Sequence, residues 1–108
     1  MKVLPLVLLC LAACASPRPP LGPEDAHVLR PLSDPPDDVR RLVDRGDDFF
    51  VQAIGNPGAA LDLYAKARAS YLEAQTHYSG IVPAPLLDRV KACVTRIAAL
   101  QREQHRTR

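Results

Sequence analysis

Tryptophan is missing from this chain, phenylalanine occurs twice and methionine once in 108 residues. A core must therefore be assembled from Leu, Val, Ile, Ala and three tyrosines, with few large rings to fill volume. Three cysteines do not form a disulfide framework, which shows an even count at regular spacing. No Gly-rich phosphate loop and no Gly-x-Ser-x-Gly is present, so the nucleotide-binding and serine-hydrolase signatures are excluded. His27, His77 and His105 are far apart, and none has metal-ligand spacing with another or with Cys93, so neither a metal nor a cofactor is expected. The formal net charge is only +2, which gives no reason to expect nucleic acid. With no catalytic set legible, the chain reads as non-enzymatic.

The N-terminus supplies what the composition lacks. Lys2 is followed by an apolar run over residues 3–13 and then by small residues, the order of a secretory signal. About eleven residues of helix reach only about 16 Å, short of a bilayer core of about 30 Å, so a membrane-spanning helix is not expected there. The run ends in Leu11-Ala12-Ala13-Cys14, which resembles the lipobox of bacterial lipoproteins: a branched apolar residue, two small ones, then cysteine. The resemblance implies that 1–13 is a signal peptide, that Cys14 is the lipid-attachment residue carrying palmitate-type acyl chains, and that no nucleic acid is met. Cys10 follows bulky Leu9 and does not fit the pattern, so it would leave with the signal. Ala15 rather than Asp after the cysteine points to the outer membrane. The alternative is an ordinary secretory signal cut near Ala13 or Ala15.

Residues 17–36 hold seven prolines, a density that opposes a continuous helix and favours an extended spacer. Residues 14–36 therefore read as a disordered Pro-rich tether. From Ser33-Asp34-Pro35-Pro36-Asp37-Asp38 onward the apolar residues step by three and four, and the expected fold is all-α: a small antiparallel three-helix arrangement over 37–108, with helices at about 38–54, 57–79 and 85–104. Asn56 and Pro57 open the second helix, and Gly80 with Ile81 reads as its C-terminal cap. Its stripe, Ala60, Tyr64, Ala67, Tyr71, Ala74 and Tyr78, alternates large rings with small residues. Tyr64, Tyr71 and Tyr78 thus form a candidate interaction stripe, although core packing explains the same spacing better. Cys93 lies on the apolar stripe of the third helix and reads as a structural thiol.

Leu42, Gly46 and Phe49, then Ala60, Tyr64 and Ala67, resemble a single tetratricopeptide repeat over about 35 residues. That implies a tetratricopeptide-like hairpin with the third helix as a cap. Leu42 stands where the repeat favours Trp, and a plain three-helix bundle has the same periodicity. Asp34, Asp37, Asp38, Asp44, Asp47 and Asp48, mixed with Arg40, Arg41 and Arg45, read as a solvated charged face. The C-terminal residues 101–108, with Arg89, Lys91 and Arg96, form a basic end suited to the helix dipole, to lipid headgroups or to an acidic partner. The combined expectation is an envelope lipoprotein facing the periplasm, acting as a helical interaction or scaffold module with a protein partner or a second copy. The alternative is a pilotin-like assembly factor for an outer-membrane secretion or pilus complex.

Overall fold

A computed structural model describes residues 21–106. The signal peptide at 1–13, Cys14 and the first part of the expected tether lie outside the described residues. The described chain is helical throughout: α1 at Pro23–Val28, α2 at Asp37–Gly55, a 3-10 turn at Pro57–Ala59, α3 at Ala60–Gln75 and α4 at Ala84–Arg106. Four helices, among the described residues, replace the three-helix arrangement expected behind a disordered segment. The reason is local. Pro23 occupies the first turn of α1, where its missing N–H costs nothing, and Glu24 and Asp25 sit at the positive end of the helix dipole. Between Pro23 and Pro31 the chain is free of proline, long enough for a short helix whose Val28 is buried, with Leu29 and Leu32 packed against the core.

The layout places α3 in the middle. It packs along both α2 and α4, while α1 lies against α4. Contacts between Ser70 and Leu42, Tyr71 and Asp47, and Tyr64 and Phe50 show α2 and α3 running antiparallel. This position explains why α2 is more one-sided than α3: α2 buries Val39, Val43, Phe50 and Ala53 on a face that packs mainly on α3, with Asp47 and Phe50 also meeting arginines of α4. Helix α3 buries Ala60, Leu63, Tyr64, Ala67, Ser70, Tyr71 and Ala74 against two neighbours. Leu86 and Cys93 complete the core from α4.

The second helix is shorter than expected at both ends. Its start is the 3-10 turn, and Asn56 makes no side-chain capping bond. At its far end Thr76, His77 and Tyr78 donate backbone bonds three residues back, and Thr76 Oγ1 also donates to the Glu73 carbonyl at 2.6 Å. That tightened turn ends α3 before Gly80 is reached. Gly80 therefore does not cap α3, and Ile81 is almost fully exposed instead of closing a cap contact. The N-cap of α2 is Pro36, with no side-chain bond, and Asp37 and Asp38 pair with Arg40 and Arg41 one turn on. Asp34 turns the chain into α2 with φ of 46°, a left-handed conformation that Asp tolerates better than most residues.

Gly46 on α2 lies directly against the Tyr71 ring of α3. A Cβ there would lie 2.4 Å from Cε1 of the Tyr71 ring, and Tyr71 is fully buried. Gly46→Ala gains up to about 1 kcal/mol of helix propensity, but the overpacking costs about 1–3 kcal/mol in a filled interior. Net destabilisation is expected, read as a lower midpoint in urea unfolding, and a variant as stable as the parent would contradict this packing.

Candidate functional site

The most deeply buried charged side chain among the described residues, Arg89, gathers a cluster of polar groups. This residue lies on α4 in step with Leu86, Cys93 and Arg96, at intervals of three and four, so the helix turns it inward. Its residue surface is 1 % exposed. Nε donates to Asp47 Oδ1 at 2.8 Å and Nη2 to Asp47 Oδ2 at 3.1 Å, a two-pronged pairing that fits the planar guanidinium. Nη1 donates to the carbonyls of Arg30 at 2.8 Å and Pro85 at 3.2 Å. Tyr71 completes the set, its hydroxyl donating to Asp47 Oδ1 at 2.6 Å.

A second arginine, one heptad further along α4, repeats the pattern in a different setting. Arg96 pairs with Asp25 of α1 and donates to the Tyr64 hydroxyl at 3.1 Å. Its guanidinium carbon stands 4.7 Å from the centre of the Phe50 ring and 5.6 Å from that of Tyr64, within cation–π range. Those two rings meet edge to face at 5.2 Å. Burial alone would lower the Arg96 pKa, but its bonds to Tyr64 and Asp25 outweigh that and hold it above the ordinary value. Arg30 adds a half-exposed pair with Asp88 at 2.9 Å.

The chemistry this arrangement can perform is narrow. Both carboxylate oxygens of Asp47 accept bonds, and no buried side-chain N or O atom is without a partner among the described residues. Burial, followed by the Asp47 charge, pushes the Tyr71 phenol far above its usual range, so it stays a donor. Burial likewise raises the Cys93 thiol to about 12, which leaves no thiolate for nucleophilic attack near neutral pH. An open cleft of about 310 Å³, with Leu29, Leu32, Val43 and Asp44 on its walls, reaches Asp47 and Arg89, but finds them already engaged. No group of His, Cys, Asp and Glu among the described residues is placed to hold a metal ion.

The sequence-derived candidates fall on both sides of the surface. Tyr64 and Tyr71 are interior, with their hydroxyls committed to Arg96 and Asp47. Tyr78 lies beyond the end of α3, partly buried against the core. Cys14 is outside the described residues. Asp47 does not belong to a solvated acidic face, and Arg89 and Arg96 do not belong to a basic tail. Their positions carried the signal: Arg89 and Arg96 share the apolar stripe of α4, and Asp47 stands between Val43 and Phe50 on that of α2. No helix among the described residues is long and apolar enough to cross a membrane. No family model matches the chain, and neither a curated protein nor a solved structure matches it.

The raised pKa values give stability a defined pH dependence. An unfolded chain releases the Cys93 proton near 9.0, whereas the folded chain keeps it to about 12. Above pH 9 the folded state then holds more protons, and stability falls as pH rises. Tyr71 adds to the loss from about pH 10 upward, where an unfolded phenol ionises. Thermal unfolding should show a falling midpoint from about pH 9. Cys93→Ala should flatten the first part of that fall even though it lowers the midpoint at pH 7; an unchanged slope would contradict the assignment.

Proposed function

We propose that this chain is a lipid-anchored protein of the bacterial envelope, held at the outer membrane through Cys14, whose helical domain serves as a protein–protein interaction or scaffold module. The observation that carries the reading is Leu11-Ala12-Ala13-Cys14 at the end of a short apolar run behind Lys2. Two further features support it. The polar side chains of the interior are spent on one another, so any contact with a partner falls to the helix exteriors. Those exteriors carry apolar side chains at Leu72, Leu87 and Val94, and Ile81 projects from the α3–α4 connection.

The anchor is tested by mass spectrometry of the protein produced in a Gram-negative host. The expected mature N-terminus is Cys14 bearing acyl mass, with the protein in the membrane fraction. Cys14→Ser should lose the acyl mass, the processing before residue 14 and the membrane association together. A wild-type chain cut after Ala13 or Ala15 without acylation would contradict the proposal.

A further inference from the structure

The direction in which α1 lies on α4 sets where the preceding chain leaves the domain. Asp25 pairs with Arg96, whereas Arg30 pairs with Asp88 and offers its carbonyl to Arg89. Residue numbers that rise along residues 25–30 fall along α4, so the two segments run antiparallel. Gly22 and Leu21 therefore lie toward the C-terminal end of α4. That end is basic: residues 101–108 contain three Arg against one Glu, and Arg102, His105 and Arg106 are exposed. The Arg106–Glu103 pair there, at 3.6 Å, is between exposed side chains and is weak. The opposite end of the domain, where α2 begins, exposes Asp34, Asp37 and Asp38, the last two paired with exposed Arg40 and Arg41, so it carries no excess of positive charge.

Distances decide which end can meet a membrane that holds Cys14. Arg106 lies ten helical residues beyond Arg96, about 15 Å along the axis. Seven residues separate Gly22 from Cys14, and the eight Cα steps between them reach at most about 28 Å whatever their conformation. The basic end is thus well within reach of the surface. Ala84, at the other end of α4, lies about 18 Å behind Arg96, so turning that end to the same surface uses most of the chain's reach and offers anionic lipid no excess of positive charge.

We propose that the last turns of α4, through Arg102, His105 and Arg106, dock on the anionic phospholipid headgroups of the membrane that carries the lipidated Cys14; this rests on the anchor reading above. Helix-end arginines also suit the helix dipole with no membrane present, so the test changes the lipid while the protein stays the same. The acylated full chain, purified from membranes, is mixed with vesicles of phosphatidylcholine alone or with a third of phosphatidylglycerol. Flotation with the zwitterionic vesicles reports the anchor. Amide hydrogen exchange over residues 100–106 reports the docking. Each arginine near an anionic surface contributes about five-fold in affinity, so exchange there should slow several-fold on the anionic vesicles only. The slowing should vanish in 1 M salt, where the screening length is about 3 Å, and in R102E/R106E, whose α2 and α3 amides should keep wild-type exchange. Equal exchange on both vesicle types overturns the docking and leaves the anchor standing, whereas failure to float with zwitterionic vesicles removes both.

Discussion

One carboxylate and one guanidinium join every part of this small domain. Asp47 comes from α2 and Arg89 from α4, Tyr71 brings α3 to the same oxygen, and the Arg30 carbonyl brings in the segment after α1. A lysine could not replace Arg89, because a single ammonium cannot face two carboxylate oxygens and two carbonyls in a plane. The pairing need not exceed in net stability an apolar core of the same volume, since burying charge is costly. Its force lies in the asymmetry. With the set complete the charges are compensated, and with one member removed a partly buried charge is stranded, at a cost of about 3–5 kcal/mol. The half-exposed Arg30–Asp88 pair is of another order, about 0–1 kcal/mol. The polar hold on the N-terminal segment therefore rests on Arg89 and, one heptad away, on Arg96, beside the apolar packing of Val28, Leu29 and Leu32.

The scarcity of aromatic residues makes this arrangement necessary. Phe50, Tyr64 and Tyr71 supply the largest apolar surfaces of the interior, and each is placed by a specific neighbour. Gly46 makes room for the Tyr71 ring, and Phe50 and Tyr64 pack edge to face beneath the Arg96 guanidinium. Polar groups that in another protein would form a site here orient rings and fasten helices.

What the sequence made legible followed from periodicity. Apolar steps of three and four mark the long helices, and the small-large alternation of α3 shows which residues turn inward. Two features were hidden for physical reasons. The helix α1 was masked because prolines were weighed by density, although Pro23 stands where a helix accepts it and Glu24 to Arg30 contain none. Arg89, Arg96 and Asp47 were masked because charge suggests solvent, although each shares a helical stripe with buried apolar neighbours. The stop of α3 was misplaced because Gly80 offers an obvious cap, whereas the backbone closes earlier through Thr76. The tyrosine stripe could be read either as core or as interface, and only tertiary placement shows Tyr64 and Tyr71 turned inward.

The central claim, that Arg89 fastens the N-terminal segment and the three long helices into one unit, is tested most directly in Arg89→Met, which keeps an unbranched apolar stem as far as the position of Nε and removes the rest of the guanidinium with its charge. Native-state hydrogen exchange would follow the α1 amides of Ala26, Leu29 and Arg30, whose acceptors are Gly22, Asp25 and His27, beside those of α2 and α3. The account predicts that these amides lose their protection and that global stability falls by about 3 kcal/mol or more. Unchanged protection of α1 together with unchanged stability would contradict it.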